Sequence, residues 1–133
     1  LTVPKERTVN RELKFRLRLG SGFSYWGFVE DDVFAGVPVL SGASMSMRDV
    51  MQRSQQYTGI KDRNGVEIYE GDIVVTWFPS ANDLGVSGNA VVRWDAEFAM
   101  FVMKATNGSG DEQMMDVPCR VIGNVCENPE LLQ

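Results

Sequence analysis

From about residue 59 to the C-terminus, short apolar runs are cut by turn residues roughly every 8–12 positions, a spacing that suits strands and leaves no room for a long helix. Asp62-Arg63-Asn64-Gly65 is the sharpest of these turns, because Asn and Gly accept the positive φ that tight hairpins need. The "VEIY" that follows reads as a short extended piece with Val66 and Ile68 on one face. Glu70-Gly71-Asp72 is a second turn, with Gly71 relieving steric strain and Asp72 accepting backbone N–H groups. Structural turn roles therefore fall on Asn64, Gly65, Gly71 and Asp72. Ile73, Val75 and Trp77 then alternate with Val74, Thr76 and Phe78, and a strand apolar on both faces belongs in the middle of a sheet. "AVVRWD" and "MFVMKA" predict a hairpin, "MMDVP" and "RVIGNV" the last strands. "ENPELL" closes the chain with Asn128 as N-cap and Pro129 at the first helical position. Ile73, Val75, Val92 and Ile122 are the expected core. Residues 79–89 read as a loop of eleven residues.

The N-terminal part carries a different pattern. Residues 1–11 are polar and read as a flexible lead-in. From 13 to 19 the alternation is strict, with Leu13, Phe15, Leu17 and Leu19 on one face and Lys14, Arg16 and Arg18 on the other. This predicts a half-buried strand with a cationic outer face. "FSYWGFV" is its returning partner, and the Pro38 of "VFAGVPVL" confines that segment to an edge or irregular structure. Residues 41–56 allow a short helix across "MRDVMQRSQQ" with Met47, Val50 and Met51 inward, or a loop with a short strand; a loop with one helical turn is the expectation. The domain organisation expected is a lead-in at 1–11, an N-terminal β subdomain at 12–58 and a small barrel at 59–133.

Composition excludes more than it suggests. The 133-residue chain has no histidine, which removes Ser-His-Asp and Cys-His catalysis, His-containing zinc sites and the commonest general base. Its two cysteines, Cys119 and Cys126, have no metal-knuckle spacing, and a strand between them would hold them about 20 Å apart. Both are expected to be reduced, partly buried thiols. No apolar run approaches the roughly 20 residues that span a bilayer, so a cytoplasmic protein without a membrane partner is expected. The net charge of −5 is uneven: residues 1–18 carry six cations against two acids, +4, so the other 115 residues carry −9.

Three constellations invite a functional reading. Glu67, Glu70 and Asp72 are close enough in sequence for a metal or a carboxylate pair, but strand alternation and a turn separate them. Turn capping by Asp72 and solvated glutamates are favoured. Most aromatic residues are needed to fill a core this size, leaving Phe78 and Trp94, beside Arg93, as the best candidates for an exposed pair. Lys14, Arg16 and Arg18, about 6.8 Å apart along one strand face, are spaced to track phosphates. Their pairing with acids of this chain or of another copy is the favoured alternative, and protection of a sheet edge is a third. Lys14, Arg16, Arg18, Phe78, Arg93 and Trp94 thus form the candidate binding surface. No catalytic residue, metal or cofactor is expected.

Three motifs, "RELKFRLR", "QYTGIKDRNGVEIYEGDIV" and "VIGNVCENPELL", occur in an order and spacing that resemble the YopX family of phage and prophage proteins. The chain departs from the family pattern at residues 34–51 and 79–89. The resemblance implies a mainly β, all-β protein with an SH3-like barrel in the C-terminal half, encoded by a phage or prophage. It brings no catalytic residue. The expected function is a non-enzymatic binding or assembly module in the bacterial host cytoplasm, a homo-oligomer with a phage or host protein as further partner. A nucleic-acid-binding accessory protein that uses the basic strand is the less favoured alternative.

Overall fold

The computed structural model describes residues 12–28, 34–35, 46–78, 86–108, 110, 112–115 and 118–132. The described residues form two five-stranded antiparallel sheets. The first has the order β3-β2-β1-β4-β5, from β1 (Lys14–Leu19), β2 (Gly22–Phe28), β3 (Phe34–Ala35), β4 (Ser54–Lys61) and β5 (Glu67–Tyr69). The second has the order β10-β6-β7-β8-β9, from β6 (Asp72–Phe78), β7 (Val86–Asp95), β8 (Met100–Ala105), β9 (Glu112–Met114) and β10 (Cys119–Asn124). Among the described residues one short α-helix, α1 (Met47–Arg53), precedes β4, and a 3-10 helix at Pro129–Leu132 follows β10. The all-β class expected from the turn spacing is the class observed.

β6 lies between β10 and β7, as its two apolar faces require. Ile73 and Val74 are both fully buried in it. The core of the second sheet gathers Ile68, Val74, Ala90, Val92, Met103 and Cys119. Val75 and Ile122, expected in the core, are half-buried; Ile122 falls where the β10–β6 register slips between Val121 and Gly123. A smaller core of Leu17, Trp26 and Val50 sits under α1. There Phe15 stacks on Trp26 at 4.4 Å, and the Trp26 indole N–H donates to Ser54 Oγ at 2.9 Å.

Several boundaries differ from those expected. α1 is a formed helix because Ser46 and Asp49 make a reciprocal capping box, a signal the Met- and Gln-rich segment hides. It turns only Val50 inward; Met47 and Met51 are more than half exposed. β7 begins at Val86, so residues 86–89, expected in the loop, belong to a strand. β9 starts at Glu112, earlier than "MMDVP". The expected boundary between residues 58 and 59 falls inside β4, and β5 joins the N-terminal sheet. The lead-in at 1–11 and Pro38 lie outside the described residues.

Candidate functional site

The alternation in β1 is real, but its cationic side is not an outer face. β1 is hydrogen-bonded on both flanks, to β2 and to β4, and its polar side is covered by residues from β5, β6 and the segment after β10. Lys14 and Arg16 are only 8% and 6% exposed. Each of the three cations meets an acid from a different element. Lys14 pairs with Glu67 of β5 and, at 3.0 Å, with Glu12. Arg16 Nη2 sits 2.8 Å from Asp72 Oδ1 at the start of β6. Arg18 Nη1 lies 2.7 Å from Glu127, beyond β10. Of the readings left open for this face, pairing with acids of the same chain is the one observed. Glu67, expected to be solvated, is one of those acids.

Arg16 is the centre of the arrangement, and the turn Glu70-Gly71-Asp72 is built around it. Its Nη2 donates to the Glu70 carbonyl at 3.3 Å as well as to Asp72, and its Nε donates to Gln55 Oε1 at 2.8 Å. Gly71 has φ +85°, and a Cβ there would lie 2.2 Å from the Gln55 amide nitrogen. The glycine therefore serves the turn and also leaves space for the side chain that holds Arg16. The guanidinium lies between two rings, 4.4 Å from the Phe23 centroid and 4.9 Å from that of Tyr69, where cation–π attraction adds to the ion pair. Lys14 Nζ is similarly 4.6 Å from the centroid of Tyr57.

Burial sets the electrostatics. It pushes the Asp72 carboxyl above the ordinary carboxylate value, with the Arg16 charge and the Tyr69 N–H (2.8 Å to Oδ2) opposing the rise only in part. Burial works to lower the Lys14 ammonium, yet hydrogen bonds and charge from Glu67 and Glu12 outweigh it and hold Lys14 above the ordinary lysine value. Burial also raises the Tyr69 phenol, which stays protonated. Asp62 departs the other way. Desolvation acts to raise its carboxyl, but the backbone N–H groups of Val121, Val66 and Asn64, at 2.8–2.9 Å, bring it below the usual value.

These side chains bound a cleft of about 620 Å³. Lys14, Arg16, Tyr25, Glu67 and Tyr69 line it together with Val121, Gly123 and Asn124 of β10. Tyr25 faces Arg16 across the β1–β2 ladder and is half exposed. A second, smaller hollow of about 280 Å³ lies elsewhere, lined by Phe15 and Met51 together with Trp94 and Phe101.

The expected binding surface is thus divided. Lys14 and Arg16 lie in the cleft, with Arg18 beyond them on the same strand face. Arg93 and Trp94 are successive residues of β7 and face opposite ways; Arg93 lies 3.7 Å from Glu112, while Trp94 is 46% exposed and packs edge-on against Phe101 at 5.0 Å. The side chain of Phe78 lies outside the described residues. Among the turn residues, Gly65 carries the positive φ of its turn (+82°), and Asn64 contributes a backbone N–H to Asp62. Gln55, Asp62 and Glu127 were not read from the sequence as site residues. The signal for Glu127 was present in the charge balance, since a K-x-R-x-R face inside an acidic chain needs acids from elsewhere.

Among the described residues no group of three or more acids and cysteines is placed to hold a metal ion, and no helix is long and apolar enough to cross a membrane. Both cysteines are free: Cys119 is buried, and Cys126 is exposed rather than partly buried. The chain matches no curated protein. The profile of the family described as YopX protein matches residues 37–133, a span that starts after β1 and β2 and includes the whole cradle of Arg16 except the arginine itself and Phe23; the chain belongs to the YopX family.

Proposed function

We propose that this chain is a phage- or prophage-encoded, non-enzymatic binding and assembly module of the host cytoplasm, acting through protein–protein contact and forming a homo-oligomer. We read the second sheet as the SH3-like barrel that its family membership implies. The observation that carries the functional reading is Trp94. It is a large aromatic left 46% exposed, lining a hollow with Phe15, Phe101 and the more than half-exposed Met51 beside the polar Ser54, Gln56 and Glu70. Partly exposed tryptophans supply the anchoring contacts of protein interfaces. Support also comes from the basic strand, whose cations are engaged with acids of their own chain and are not displayed to a phosphate backbone. The test compares wild type with Trp94→Glu in two assays: mass by light scattering with capture of host and phage proteins, and anisotropy with single- and double-stranded nucleic acid at about 50 mM salt. Protein association lost in Trp94→Glu supports the reading. Tight nucleic-acid binding with a steep salt dependence, and no protein association, replaces it with the nucleic-acid alternative.

A further inference from the structure

We propose that the cleft between the β1–β2 face and the outer edge of β10 binds a neutral planar heteroaromatic ring, a nucleobase or nucleoside. Its volume of about 620 Å³ lies within the range of small-molecule sites. Charge is the first argument. Two cations, Lys14 and Arg16, and two carboxylates, Glu67 and Asp72, line the cleft; Lys14 is joined to Glu67 and also to Glu12 outside the lining, and Arg16 to Asp72. An ionic ligand meets no net countercharge there and gives up its hydration without compensation. A neutral ligand loses little.

The second argument is the geometry of Tyr25. Its ring touches Tyr69 edge-on at 5.8 Å, which fixes its position, while half of the residue stays exposed. A half-exposed ring held against a second ring offers surface for stacking, and every base has a face to place on it. The third argument is the polar lining. Tyr69 and Asn124 are both among the lining residues, and each side chain carries a hydrogen-bond donor, the Tyr69 phenol staying protonated. A hydrocarbon ring would leave such donors unpaired, whereas the edge of a nucleobase accepts from them. Trp94 is not part of this lining, so the cleft and the association patch are separable by mutation.

The experiment titrates the 133-residue chain with adenosine, guanosine, cytidine and uridine, with their 5′-monophosphates, and with indole as a ring lacking the base edge. Aromatic proton shifts and saturation transfer report binding. At least one nucleoside should bind, its monophosphate no more tightly and indole more weakly, with less than about a twofold change between roughly 50 and 500 mM salt. Tyr25→Ala should weaken binding about tenfold or more, Tyr25→Phe should retain it within about twofold, and Trp94→Ala should leave it unchanged. If Tyr25→Ala does not fold, nuclear Overhauser contacts between the nucleoside and the Tyr25 ring of the wild type decide instead. Four results would overturn the proposal: no nucleoside binding at about 10 mM; binding indifferent to Tyr25; indole binding as tightly as the nucleosides; or a monophosphate preferred with a steep salt dependence.

Discussion

Asp62 shows how much one carboxylate can organise. It caps the turn through the N–H groups of Asn64 and Val66, and it reaches β10 through Val121, so turn and sheet share one acceptor group. Asp62→Asn exchanges one carboxylate oxygen for a donor that faces another donor, and about 1–3 kcal/mol of stability should be lost at neutral pH. The pH dependence has a definite sign. The folded value of Asp62 lies below its unfolded value, so its contribution is complete above the ordinary carboxylate range, near pH 4, and is lost as pH falls through the folded value. The stability gap between wild type and Asp62→Asn should therefore narrow below about pH 4 in chemical denaturation. A gap that widens in acid would show the sign to be wrong. Asp72 acts oppositely: its raised folded value favours the protonated form, so its share of stability is greatest in acid and falls as pH rises through the folded value.

At the level of elements, β6 carries an internal inconsistency that can be measured. Thr76 is fully buried, and its hydroxyl has no hydrogen-bond partner among the described residues. Thr76→Val keeps the shape and removes the unsatisfied group, so it should stabilise the protein by about 1 kcal/mol, read as a higher melting temperature. A loss of stability would mean that the hydroxyl is partnered after all. β6 is also the strand most legible in sequence, because apolar residues on both faces admit only a central position. β1 was legible in its alternation and misleading in its exposure. Alternation identifies two faces but does not say what covers the polar one, and here the cover arrives from residues as distant as Glu127. α1 was obscured for a different reason: with Val50 alone turned inward there is no apolar stripe, and the helix is defined at its start by Ser46 and Asp49. The cleft could not be read at all, since its lining gathers residues from the start, the middle and the end of the chain, from Lys14 through Tyr69 to Asn124.

The basic strand adds two ties out of its own sheet, Arg16 to Asp72 of β6 and Arg18 to Glu127 beyond β10, to the packing of Ile68 and the reach of Asp62 to β10. Arg16 and Asp72 are both buried, so removing the arginine strands the carboxylate's charge: Arg16→Met alone should cost about 3–5 kcal/mol. The double variant Arg16→Met/Asp72→Leu should recover much of that loss, and a double variant as unstable as the sum of its parts would contradict the pairing. The same arrangement changes what self-association can rest on. With Lys14, Arg16 and Arg18 engaged inside the chain, a second copy has little free positive charge on this strand with which to set its register. Attraction between copies then falls to apolar surface, chiefly Trp94 and Met51 beside their hollow. Light scattering at micromolar concentration should give a mass above the 14.8 kDa of one chain. Salt should then strengthen the assembly or leave it intact, because screening weakens repulsion between acidic copies while apolar burial persists. Trp94→Glu should give a monomer without lowering the melting temperature of the fold. A wild-type monomer at about 100 µM would end the oligomer proposal, and dissociation by salt alone would return the basic strand to the interface.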